Sequence, residues 1–231
     1  MKCAILIDGG FYRKRAKSLF GKKTPQERAT EIFNYALAHL KSRRRSEEIE
    51  LYRIFYYDCP PISGTIFNPL TQKNAELDET ETSRWTLELF KSLSAKRKLA
   101  LRLGTLSRPE GYSLRPGALK KLLRGDLLPA EITERDIALN VVQKGVDMKI
   151  GLDILHLAYR RLVDRIVLIS GDSDFVPAAK VARREGVDFI LDSMGQSVSD
   201  DLFLHIDGFK SYYKQFVSSP VDDGTSTDDA Q

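Results

Sequence analysis

A chain of 231 residues, 42% hydrophobic and 29% charged, is long enough to bury one core and has the composition of an ordinary globular protein. No stretch approaches the roughly 18 apolar residues of a membrane helix, and the apolar start meets Asp8 too soon for a signal peptide, so neither a spanning nor a secreted protein is expected and the cytoplasm is the expected location. The net charge of +4 conceals an acidic end: residues 217–231 hold four aspartates and no lysine or arginine, leaving a body with 36 basic against 28 acidic residues, a net +8. A basic body is compatible with a polyanionic partner such as RNA.

Residues 2–7 read as a buried strand ended by Asp8-Gly9-Gly10. A basic stretch follows, and Thr24-Pro25-Gln26-Glu27 then opens a helix to about Lys41 with a capping box and a proline at its first position. The aromatic and β-branched run 50–58 reads as a second strand, stopped by Cys59-Pro60-Pro61. Cys3 and Cys59 fit a reducing compartment, with a single disulfide left open. A loop insertion is expected near 60–77, a helix over 78–96 with Trp85, Leu89 and Leu93 four apart, and a strand over 98–106. A second, loop-rich insertion is expected over 107–131.

The C-terminal half is the most legible. A helix starts near Asp147, the continuous apolar run Ile166–Ile169 reads as a strand inside a parallel sheet, and Phe175, Ala178, Ala179 and Ala182 mark the apolar face of the next helix. Gly186 stops that helix, and residues 187–191 supply another strand. Short strand–helix–strand connections imply parallel strands, hence a three-layer α/β/α domain over residues 1–216 with a mainly parallel sheet. Residues 217–231 read as an acidic disordered tail.

Functional groups in such sheets collect outside the carboxyl ends of the strands. Asp8, Asp172 and Asp174 follow two strands at that end, and Asp147 sits at a helix start. Each could equally cap a helix or shape a turn; their joint occurrence at coincident strand ends points instead to a carboxylate cluster. Oxygen-only ligands suit Mg²⁺ or Mn²⁺, which activate water and orient a phosphodiester without a histidine or a covalent nucleophile. Ser170 and Ser173 are expected to orient backbone or cap the helix. His39, His156 and His205 lack metal-ligand spacing and read as non-catalytic, and Arg43-Arg44-Arg45 and Arg183-Arg184 as solvated faces.

Ile7-Asp8-Gly9-Gly10, Gln143-Lys144-Gly145-Val146-Asp147 and Ser170-Gly171-Asp172-Ser173-Asp174-Phe175 resemble the three blocks of NYN-domain proteins, most nearly the bacterial LabA-like members of the PIN-like nucleases. The Lys-Gly-Val-Asp block with Ser-Gly-Asp-Ser-Asp-Phe is specific; Asp-Gly-Gly alone is weak. The resemblance implies a PIN-like fold and a metal-dependent ribonuclease, an endoribonuclease cutting with Mg²⁺ or Mn²⁺. Asp8, Asp147, Asp172 and Asp174 are its expected ligands and catalytic groups, with Asp153 as a further candidate. Phe11 departs from the pattern, standing where many relatives carry asparagine. Homodimerisation is implied by the resemblance only.

For RNA contacts, Lys144 and the basic insertion bearing Arg115, Lys120, Lys121 and Arg124 are the candidates, with Tyr12 or Tyr112 available to stack on a base. A haloacid dehalogenase-type phosphatase requires a second aspartate two residues after the first; Gly10 stands there. Asp-Gly-Gly matches neither glycine-rich nucleotide loop. The rival reading is a non-catalytic RNA-binding or regulatory module with the same fold.

Overall fold

A computed structural model of the chain describes residues 1–41, 48–107 and 109–217. The expectations for Arg43-Arg44-Arg45 and for nearly all of the acidic tail lie outside the described residues. The chain opens with β1 (Lys2–Asp8), α1 (Gly9–Phe20), α2 (Pro25–Ala38) and β2 (Glu50–Asp58). It continues through the hairpin β3 (Thr65–Asn68) and β4 (Lys73–Glu76), then α3 (Glu81–Ser94) and β5 (Leu99–Leu103). Short strands β6 (Thr105–Leu106), β7 (Tyr112–Leu114), β8 (Ile137–Leu139) and β9 (Gln143–Lys144) enclose α4 (Pro116–Arg124). The last part is α5 (Val146–Tyr159), β10 (Arg165–Ile169), α6 (Val176–Arg184), β11 (Asp188–Asp192), α7 (Asp200–Leu204) and β12 (Gly208–Phe209).

Six strands form one sheet in the order β12-β11-β10-β1-β2-β5, and every pair in it is parallel. The alternation of side chains along β1 divides the core in two. Cys3, Ile5 and Ile7 pack on one face with Tyr12 and Ala16 of α1, Ile32 and Tyr35 of α2 and Leu89 of α3. Ala4 and Leu6 pack on the other with Ile150 and Ile154 of α5 and Ala179 and Ala182 of α6. Two helical layers thus cover both faces of a parallel sheet, the three-layer α/β arrangement expected from the strand–helix–strand pattern. Both cysteines are buried and free, so the disulfide left open by composition is absent.

Two expectations need correction, and one stretch left without an element gains one. The basic stretch after Gly10 is α1, capped by Asp8 and burying Tyr12, Ala16 and Phe20 at four-residue spacing. Gly9 packs so closely that a Cβ there would lie 2.6 Å from the Tyr57 carbonyl oxygen, which is why a helix begins on a glycine pair. The insertion at 60–77 contains the antiparallel hairpin β3–β4 rather than loop alone. That at 107–131 contains α4, which starts on a proline and ends at Gly125 in the left-handed conformation. Arg183 and Arg184 are exposed, as expected, and the Arg183 Nε pairs with Asp207 at 2.8 Å. Among the described residues no helix is long and apolar enough to cross a membrane.

Candidate functional site

Strand β1 lies at the sheet's centre, and the chain leaves it toward β2 on one side and β10 on the other. Such a reversal opens a crevice at the carboxyl ends of β1 and β10, where ligands of open α/β sheets bind. A cleft of about 740 Å³ lies there, lined by Asp8, Phe11, Lys14, Arg15, Asp172 and Gln196 among others.

Local chemistry fixes the two acids. Asp8 ends β1 in extended conformation and caps α1, its Oδ1 accepting the Phe11 amide at 3.0 Å. Its Oδ2 faces the Ser170 hydroxyl at 3.5 Å. Asp172 accepts the Asp174 amide at 3.0 Å and so caps the short 3₁₀ turn Ser173–Phe175. Ser170, fully buried, also accepts the Asp172 amide at 3.3 Å, the orienting role expected of it. Capping and crevice-lining are therefore compatible: the cap holds one oxygen of Asp8 and leaves the other turned toward β10.

Electrostatics link the remaining acids. Burial pushes the Asp8 carboxyl up to about 6 against two opposing backbone hydrogen bonds, and the charges of Asp147 and Asp58 push it further in the same direction. Asp147 is raised too, by desolvation first and then by Asp172 and Asp174. Asp147 thus links the set, its charge acting on Asp8 while those of Asp172 and Asp174 act on it. The four aspartates are not drawn into a compact set, for among the described residues no three His, Cys, Asp or Glu side chains are gathered as a metal site. Asp147, Asp172 and Asp174 are exposed, so their side chains have room to turn.

Asp153 is engaged elsewhere. Arg102 grips both its oxygens, Nη2 to Oδ1 at 2.6 Å and Nε to Oδ2 at 2.8 Å, and the Tyr57 hydroxyl donates to Oδ2 at 2.7 Å. Lys144 lies exposed in β9, while Arg115, Lys120, Lys121 and Arg124 are exposed on and before α4. Tyr12 cannot stack on a base: it is fully buried, and its hydroxyl donates to Glu31 at 3.1 Å.

Sequence reasoning missed Asp58. It ends β2 beside β1, is 1% exposed, accepts hydrogen bonds from the Cys59 amide and the Tyr56 hydroxyl, and pairs with Arg13 at 2.9 Å. Burial raises its pKa while Arg13 opposes the shift. The signal was the one used for Asp8, an aspartate closing an apolar strand. Missing α1 also hid Lys14 and Arg15, the latter anchored by its Nη2 donating to the Met194 carbonyl at 2.8 Å. Asp192 ends β11 but is fully buried and held by Tyr35, His39, Ser211 and the Met194 amide, a structural network. Phe11, at the position where the sequence pattern departs, has its ring against Gly171; a Cβ at Gly171 would lie 2.9 Å from Phe11 Cε2.

Comparison with known proteins adds three findings. No curated protein matches the chain. One solved structure, a protein of unknown function from Vibrio parahaemolyticus, is similar at 16% identity over 90% of each chain, with a TM-score of 0.45. The NYN domain, a domain of the PIN-like nuclease superfamily, matches by its family model residues 122–211, the segment that carries Asp147, Asp172 and Asp174.

Proposed function

We propose that the protein is a metal-dependent endoribonuclease of the LabA-like NYN type, with residues 1–216 as its domain and RNA hydrolysed at the β1/β10 crevice. The observation that carries this reading is the placement of Asp8 and Asp172 in one cleft, with the charge of Asp147 felt by Asp8. Asp8, Asp147, Asp172 and Asp174 form the proposed ligand set; Asp153 is left out because protein groups occupy both its oxygens.

The donors fit Mg²⁺ or Mn²⁺ in kind, being carboxylate oxygens with a serine hydroxyl beside them. They also fit in charge, since a cation offsets the repulsion and desolvation that raise Asp8 and Asp147. When bound, such an ion supplies an activated water and neutralises charge on the phosphate. The chain's own part is to bind and orient. Lys14 and Arg15 line the same cleft as Asp8 and Asp172 and attract the phosphodiester, Gln196 offers a neutral hydrogen-bonding group, and Phe11 against Gly171 shapes the lining. Lys144 and the basic residues on and before α4 extend the attraction for a polyanion beyond the cleft.

The absence of a compact acidic group among the described residues favours a second reading, a non-catalytic RNA-binding module. Incubating the full chain with single-stranded and structured RNAs plus Mg²⁺ or Mn²⁺ separates the two. The expected result is internal cleavage leaving 5′-phosphate ends, lost in Asp8→Asn and Asp172→Asn. Cleavage that survives both substitutions removes the site assignment, and binding without cleavage of any RNA establishes the second reading. A cytoplasmic homodimer is the proposed working form.

A further inference from the structure

Helix α1 separates the crevice from a second cavity of about 680 Å³, whose lining includes Arg13, Lys17, Lys22, Lys23, Arg28 and Trp85. Six cations and no acidic residue occur between Gly9 and Gln26. Three of the five cations in the lining are committed to ion pairs, Arg13 with Asp58 and both Lys23 and Arg28 with Glu31. Lys17 and Lys22 are exposed and make no ion pair with any described residue. Of the acids in the lining, Glu27 is spent on the capping box of Thr24, leaving Glu81 at the start of α3. The N-terminal turns of α2 and α3 both open on this cavity, so their dipoles add to the field of the lysines.

Trp85 supplies the second element. Its indole is half-buried, and Nε1 donates to the Lys23 carbonyl at 3.1 Å, so the ring is held in one orientation while it lines the cavity. A fixed aromatic beside two uncommitted lysines is the arrangement that takes an unpaired base and its phosphates. The cavity is continuous in electrostatic terms with the crevice. Arg13 lines it and pairs with Asp58, which ends β2 beside β1 and Asp8. Along α1, Lys17 lies about 12 Å from the helix start at the crevice, within reach of an extended strand.

Resting on the ribonuclease reading, we propose that this cavity is a nucleotide subsite of the substrate strand: one unpaired base packs on Trp85 and the adjoining phosphates meet Lys17 and Lys22. The test uses the fact that Trp85 is the single tryptophan in the chain, so indole fluorescence reports this cavity alone. A short oligouridylate is titrated into full-length Asp172→Asn protein with chelator present. Labelled-RNA anisotropy follows binding in parallel. Saturable quenching with the same midpoint as the anisotropy is expected. Trp85→Ala should weaken binding by about tenfold. Lys17→Ala with Lys22→Ala should lower the slope of log affinity against log salt by about 1.4, from two lost phosphate contacts.

RNA that binds without quenching, or a salt slope unchanged in the double lysine variant, overturns the subsite, as does equal quenching by a fully paired duplex. Wild-type cleavage in a parallel assay keeps the two claims apart. Cleavage with an unquenched tryptophan removes the subsite and leaves the nuclease; quenching without cleavage keeps the strand-binding cavity and removes the nuclease.

Discussion

Replacing Asp8 by asparagine should stabilise the fold while abolishing cleavage. The Asp8 carboxyl rises from 3.8 to about 6 on folding, chiefly through burial and then through the charges of Asp147 and Asp58. Holding it ionised in the native state therefore costs at most about 3 kcal/mol. Asparagine removes the charge but keeps an oxygen able to accept the Phe11 amide, so the α1 cap survives. Allowing for water at the partly exposed site, the expected gain at neutral pH is about 1–2 kcal/mol, or about 2–8 °C in melting temperature for a chain of this size. The sign follows from linkage. The native state holds this proton between 3.8 and about 6, so the wild-type contribution is most favourable below that window and declines as pH rises through it. Thermal melts of both proteins in chelator, at neutral pH and near pH 4, measure the difference. The gain should be present at the higher pH and vanish at the lower. A less stable variant at neutral pH, or an equal difference at both, refutes the argument. Added Mn²⁺ should raise the wild-type melting temperature more than the variant's, because binding to the native state alone stabilises it.

Arg13→Ala should cost about 2–3 kcal/mol in urea denaturation, because Asp58 is 1% exposed and would lose the cation that offsets its burial. Adding Asp58→Asn should recover part of the loss, and no recovery would mean that Arg13 acts through packing alone. Gly9→Ala should destabilise by about 3 kcal/mol or more, its Cβ lying 2.6 Å from both the Tyr57 carbonyl oxygen and Tyr56 Cζ. Gly151→Ala in α5 meets nothing within 4 Å and should instead stabilise by about 0.5–1 kcal/mol, a matched control in the same melts.

The strands of the sheet are readable in advance because burial on both faces demands continuous apolar runs, and Ile166–Ile169 or residues 2–7 have no other reading. Helix α1 was obscured because four cations, Arg13, Lys14, Arg15 and Lys17, interrupt the Tyr12–Ala16–Phe20 spacing of its buried face. The hairpin β3–β4 and helix α4 lie in short segments whose form depends on partners elsewhere in the chain. Within the site, Asp8 and Asp172 were legible as aspartates closing strands. Asp58 was equally marked, as the last residue of the expected strand 50–58, but no motif block contains it and it was left out of the candidate set. What no periodicity could reveal is pairing between side chains distant in sequence. That Arg102 takes both oxygens of Asp153, and that Tyr12 is sealed against Glu31, are matters of tertiary packing.

The central position of β1 also sets an order of assembly. Its backbone meets the neighbourhood of β10 across 162 residues, the Lys2 amide donating to the Asp164 carboxylate, whereas β2 follows it far sooner along the chain. One edge of β1 must therefore wait, apolar and unpaired, until β10 has left the ribosome. A stalled or truncated product ending before Arg165 would expose that edge to aggregation and carry only one wall of the crevice. Asp8 is made 162 residues before Ser170, and a partial chain lacking β10 has nothing with which to complete the cleft.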